Sequence, residues 1–84
     1  MEIEYSSRFK RSFKKLDRQL QSTAWEKLEI FKQDQNDPRL KTHKLKSTEY
    51  YAFSVTYKIR VIFLVTGSAI VLVNIDDHSL YQKL

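Results

Sequence analysis

Apolar residues change their spacing twice along this chain of 84 residues. Ile3 and Tyr5 alternate with Glu2 and Glu4, the two-residue period of a short strand with one dry face. Phe9, Phe13, Leu16 and Leu20 then recur at steps of three and four, which predicts a helix capped by Ser6 or Ser7. Asp17 marks the junction with a second helix, on which Ala24, Leu28 and Phe31 share a stripe with Trp25 beside them. That helix is predicted to end before Asp37-Pro38, because the proline ring disfavours helical geometry in the residue preceding it.

Beyond the proline the period shortens. Tyr51, Phe53, Val55 and Tyr57 alternate with Tyr50, Ala52, Ser54 and Thr56, predicting a strand with an aromatic face. Ile59–Val65 and Ala69–Ile75 are β-branched and almost continuously apolar, as central strands covered on both sides would be. Thr66-Gly67-Ser68 reads as the hairpin turn between them, with Gly67 free to take a positive φ. The predicted order is an N-terminal strand, a two-helix hairpin and a three-stranded antiparallel meander. This is an α+β layer of helices against a twisted sheet, in a single domain over residues 1–84.

Composition narrows the class. A chain that is 42% hydrophobic and 30% charged fits a compact soluble domain with one modest core. The absence of cysteine excludes disulfides and thiolate metal sites and makes cytoplasmic residence the simple expectation. Two histidines, His43 and His78, argue against a dedicated zinc or iron centre, and no cofactor is expected. Met1-Glu2-Ile3-Glu4 reads as the start of a folded chain rather than a signal peptide. The apolar runs are too short to cross a membrane. A net charge of +5 favours anionic partners, whether nucleic acid, an acidic protein, or an acidic protein covering a nucleic-acid surface.

The cations fall in two blocks. Arg8, Lys10, Arg11, Lys14, Lys15 and Arg18 interleave with the apolar stripe of the first helix; they read as a solvated face able to touch phosphates, without catalytic specificity. The segment from Arg39 to Arg60 carries six cations against the single carboxylate Glu49. Within it Lys41, Lys44 and Lys46 can approach a phosphate backbone, with His43 among them as either an exposed loop histidine or a substrate contact. Lys44 and Lys46 project to the same side if the segment is extended, which turns Leu45 toward the core. Arg60 interrupts an apolar strand on the face of Ile62 and Leu64, and a rim position is expected for it. Such a guanidinium needs either a carboxylate, with Asp76 and Asp77 the candidates, or a phosphate to clamp.

His78 follows the last strand and Tyr81 comes three residues later. Asp76 and Asp77 beside the histidine favour its imidazolium form, which suits a general acid or a phosphate clamp. Tyr81 otherwise packs the tail onto the sheet. RNA can be cleaved by its own 2′-hydroxyl, so a protein need only align that group, move protons and stabilise the developing charge. Lysines, an arginine and a histidine or tyrosine suffice for that.

Three motifs in order resemble the RelE/ParE superfamily of toxin–antitoxin toxins. They are Asp37-Pro38-Arg39 leading into Lys41 to Lys46, the Tyr51–Val55 strand followed by Arg60-Val61-Ile62-Phe63, and His78-Ser79-Leu80-Tyr81. The resemblance implies an mRNA interferase, an endoribonuclease that cuts messenger RNA in the ribosomal A site and is neutralised by a cognate acidic antitoxin. Carried over by motif, Lys44 and Lys46 hold or activate the phosphate, and Arg60 stabilises transition-state charge. His78 or Tyr81 transfers protons or stacks on a base. Arg39, Lys41, His43 and Lys58 contact RNA, and the general base is either His43 or a lysine. The chain departs from the pattern at Ser47 and at Asp76-Asp77, where related toxins often have glycine. The superfamily also includes gyrase poisons, so a gyrase-directed toxin and an inactive antitoxin- or RNA-binding relative stand as alternatives.

Overall fold

Two side chains fix where the helices begin. The Ser6 hydroxyl accepts the Phe9 N–H at 3.0 Å and caps α1 (Ser7–Lys14), and an Asp17 carboxylate oxygen accepts the Leu20 N–H at 2.8 Å and caps α2 (Arg18–Gln33). The computed structural model describes residues 2–77. As the sequence predicts, α2 ends before Pro38; a 3₁₀ turn (Pro38–Leu40) follows, headed by Asp37. The strands are β1 (Glu2–Tyr5), β2 (His43–Lys44), β3 (Tyr51–Ser54), β4 (Ile59–Val65) and β5 (Ala69–Asp77).

The five strands form one sheet in the order β1-β5-β4-β3-β2. The predicted meander β3-β4-β5 is present and antiparallel, with β1 parallel to β5 at one edge and the two-residue β2 at the other. The architecture is the α+β class expected. One face of the sheet presents Phe53, Val61, Phe63, Ile70, Leu72 and Ile75 to Phe9, Ala24, Leu28 and Phe31 of the helices. Phe31 anchors this layer, its ring 4.7 Å from that of Phe53 and 5.0 Å from that of Phe63. Burying each such side chain is worth roughly 1.5–3 kcal/mol, so this layer carries most of the fold.

Two local expectations are corrected. β3 stops at Ser54, and Tyr57 is 81% exposed instead of continuing an aromatic face. The Thr56 hydroxyl accepts from the backbone N–H groups of Lys58 and Ile59, and this local bonding competes with the ladder. The β4–β5 turn does not use a positive φ at Gly67; Thr66 closes it through its backbone N–H and its hydroxyl, both bonded to Ala69.

A bulge sits in β5. Ile62 pairs with Asn74 but Phe63 pairs with Leu72, so Val73 is the extra residue. Without it, Asn74 and Asp76 would share the helix-packed face with Ile70 and Leu72. With it, Ile75 joins the core while Asn74 and Asp76 turn to the opposite face. Ser6 pins the bulge: its N–H donates to Leu72 O at 3.0 Å and its hydroxyl to Val73 O at 2.7 Å.

The β2–β3 connection is closed by Leu45 N–H to Tyr50 O at 2.8 Å and by Thr48 N–H and hydroxyl to Leu45 O. Its tip, Ser47, has φ 62°, in the left-handed region that glycine occupies without steric cost. Ser47→Gly is expected to stabilise the chain by up to about 1 kcal/mol in urea unfolding, because strain relief exceeds the added unfolded-state entropy. A lower unfolding midpoint in the variant contradicts this.

Candidate active site on the second face of the sheet

Cross-strand partners share a face, so the rows His43–Ala52–Ile62–Asn74 and Ser54–Arg60–Asp76 lie together on the face away from α2. Arg60 is the central member of the second row. Its Nε lies 3.6 Å from Asp76 Oδ1, an ion pair longer than a hydrogen bond, with the two side chains only 16% and 14% exposed. The other Asp76 oxygen accepts from Asn74 Nδ2 at 3.4 Å, and Asn74 Oδ1 accepts from the Ser12 hydroxyl at 2.7 Å. A polar chain thus runs from α1 through β5 to the guanidinium on β4. A cation this enclosed requires such a partner, because a lone charge out of water is very costly.

A cleft of about 320 Å³ opens above these residues. The sheet contributes Arg60, Ile62, Val73 and Asn74; the β2–β3 turn contributes Leu45, Thr48 and Tyr50; α1 contributes Arg8. It combines two guanidinium groups, an aromatic ring that is 40% exposed and an apolar floor. Guanidinium forks match phosphate oxygens, and aromatic faces accept stacked bases.

The other sequence-derived candidates are dispersed. Arg60 lies within the sheet face rather than on its rim, and its carboxylate is Asp76. Lys44 pairs with Tyr51, whose ring stacks on Phe63 at 5.5 Å, so Lys44 belongs to the opposite face. It lines a separate groove with Glu49, Tyr51, Leu64 and Val65. Lys46 is exposed in the turn after Leu45, so the two lysines do not project together from an extended segment. Leu45, expected in the core, instead lines the Arg60 cleft. His43 shares the face of Arg60 but is exposed outside the cleft, its Nδ1 3.1 Å from Lys41 O.

Arg39 and Lys41 line a second groove, about 180 Å³, with Lys27, Ser54, Val55, Thr56 and Tyr57. Lys58 Nζ sits 5.7 Å from the Tyr57 ring centroid. Arg39 forks onto Asp37 at 3.0 and 2.8 Å, and the Asp37 carboxyl also accepts the Arg39 N–H at 2.9 Å. These bonds hold the Asp37 carboxyl down at about 2, against an ordinary 3.8. His78 and Tyr81 lie outside the described residues.

Arg8, Tyr50, Asn74 and Ser12 are the members that sequence reasoning misses. Arg8 is one of four cations on α1, and nothing in its spacing sets it apart. Asn74 carries the better signal, a lone amide in an apolar run.

No protein-family model matches the chain, and no curated protein matches it. Solved structures do match in fold. YafQ from E. coli strain BL21(DE3) superposes with a TM-score of 0.78 at 16% identity, over 95% of this chain and 96% of its own. The YoeB/ParE toxin from Agrobacterium tumefaciens gives 0.76 at 15% identity, over 93% and 99%. A chain of the RelB–RelE antitoxin–toxin complex from Methanococcus jannaschii gives 0.76 at 18% identity, over 96% and 98%. The chain has the fold of the RelE/ParE superfamily toxins. Among the described residues no helix is long and apolar enough to cross a membrane.

Two predictions follow from the charges. Arg60→Ala leaves Asp76 enclosed without this cation and is expected to lower the unfolding free energy by about 1–3 kcal/mol, part of which returns when Asp76→Asn is added. A single variant within about 0.5 kcal/mol of the parent would show that Asp76 does not depend on Arg60 for its charge compensation. Because the folded value of Asp37 is depressed, its pairing contributes stability that is present above about pH 4 and lost as the pH falls through about 2. Carbon-detected NMR titration is expected to show that low midpoint and its return toward 3.8 in Arg39→Ala. An unchanged midpoint in that variant contradicts the assignment.

Proposed function

We propose that this chain is the toxin of a toxin–antitoxin pair and a ribosome-dependent mRNA interferase, acting in the cytoplasm. The carrying observation is the cleft in which Arg60, oriented by Asp76, stands with Arg8 and Tyr50. Its position on a toxin fold supports the reading.

In the proposed reaction the 2′-oxygen of the RNA bonds to the adjacent phosphorus as the bond from phosphorus to the 5′-oxygen breaks. The 2′-proton passes to a base and the departing 5′-oxygen receives a proton, leaving a 2′,3′-cyclic phosphate and a 5′-hydroxyl. Arg60 and Arg8 stabilise the charge gathering on the non-bridging oxygens, and Tyr50 stacks on a neighbouring base. His78 and Tyr81, which follow β5 in sequence, are assigned the proton transfers, with His43 the alternative base. Lys44 and Lys46 hold flanking phosphates from beyond the cleft, and Arg39, Lys41 and Lys58 guide the strand along the second groove. The RelE neighbour was solved with the antitoxin RelB. The corresponding partner here is an acidic antitoxin, which the net charge of +5 favours.

A gyrase-directed toxin is the second reading, because one neighbour carries the ParE name as well as YoeB. Induced expression without the partner gene, followed by mapping of messenger RNA ends on translating ribosomes, separates the two. The proposal predicts new ends within the A-site codon, reduced about 10²–10³-fold in Arg60→Lys, which keeps a cation beside Asp76 but loses the planar fork. Growth arrest that persists in Arg60→Ala and His78→Ala, with a DNA-damage response, contradicts cleavage and supports the gyrase reading.

A further inference from the structure

Hydrogen bonds tie α1 to consecutive residues at the β5 bulge. The Ser6 N–H donates to Leu72 O at 3.0 Å, the Ser6 hydroxyl to Val73 O at 2.7 Å, and the Ser12 hydroxyl to Asn74 Oδ1 at 2.7 Å. The Ser6 bonds hold the start of the helix. The Ser12 bond lies roughly 9 Å further along the axis, and Arg8 stands between the two ties. Phe9 and Phe13 press another side of α1 into the core layer, their rings stacked at 6.0 Å. Such apolar contacts carry no direction and let a short helix pivot, whereas a hydrogen bond fixes its seat. A helix tied only at its first turn is free to swing; a second tie removes that freedom.

Arg8 and Ser12 are one turn apart and project from one side of α1. Arg8 lines the Arg60 cleft, as does Asn74. Among the described residues Arg8 forms no ion pair, so the seat of its helix, rather than a carboxylate, sets its reach. The Asn74 amide, 7% exposed, is the joint between the two arginines. A carboxylate only accepts, so the amide nitrogen turns to Asp76, the partner of Arg60, at 3.4 Å, and the amide oxygen is left for a donor. Ser12 is that donor. A buried amide needs only some donor; that need does not explain a donor one turn from the arginine sharing the cleft.

We propose that Ser12 is a positioning residue: its bond to Asn74 seats α1 so that Arg8 reaches the same phosphate as Arg60. The inference rests on the phosphate site of the proposed function and does not require that bound RNA be cut.

The test is a double-mutant cycle on the full chain, in which inorganic phosphate is titrated and followed at the Arg60 Nε–H signal by NMR. Ser12→Ala and Arg8→Ala are each expected to weaken phosphate binding about tenfold, with circular dichroism unchanged. Combined, they are expected to weaken it no more than Arg8→Ala alone, because the serine acts only through the arginine. Ser12→Thr and Ser12→Val share a shape and differ in the hydroxyl. The threonine variant is expected to bind within about twofold of the parent and the valine variant to behave as Ser12→Ala. The proposal is overturned if the Arg60 signal does not respond to phosphate, if the two losses add, or if the threonine and valine variants bind alike. A Ser12→Ala chain that does not fold also overturns it, since the bond then serves the fold. Cutting of messenger RNA on ribosomes is a separate result. A parent chain that binds phosphate through both arginines and leaves messenger intact would remove the interferase reading and retain this one.

Discussion

A single extra residue in β5 gives this sheet two different faces. Val73 bulges out of the ladder, and the strand beyond it changes which side chains it turns inward. Ile75 completes the packing against the helices, while Asn74 and Asp76 pass to the other side, where Arg60 waits on the neighbouring strand. The same Ser6 that caps α1 bonds the two carbonyl groups at the bulge. Helix start, bulge and carboxylate placement are therefore one event, and the Arg60 site inherits its geometry from it.

The two faces then divide the work. The helix side is a dry aromatic layer around Phe31, and it holds the chain together. The far side carries enclosed charge: a guanidinium, its carboxylate and a buried amide tied back to Ser12. Such a network contributes little net stability, since the ion pair offsets the cost of removing both charges from water. What it supplies is orientation, which is what electrostatic stabilisation of a transition state requires. Of the other candidate cations, Lys44 lines one further groove and Arg39 and Lys41 line another.

Most of the architecture is legible in the order of residues. Ser6-Ser7 and Asp17 announce the helix starts, Pro38 bounds the second helix, and the apolar blocks at 59–65 and 69–75 mark two central strands. The break that Arg60 makes in an apolar run identifies it without coordinates, and composition narrows its carboxylate to Asp76 or Asp77. Choosing between them needs the register, and the register depends on a bulge that leaves no local signature. The spacing of Lys44 and Lys46 misleads for a related reason. It assumes an extended chain, whereas the segment turns after Leu45 through a left-handed Ser47. Arg8 is hidden because an amphipathic helix gives all its cations the same standing until it is docked beside a sheet.

The most direct test is a crystal structure of the chain with a short RNA in which one 2′-hydroxyl is methylated, so that attack is blocked and the phosphate stays intact. The account predicts that phosphate between Arg60 and Arg8, a base against Tyr50, and Asp76 still beside Arg60. RNA held by the Lys44 groove or the Arg39 groove, with the Arg60 cleft free of it, would contradict the account.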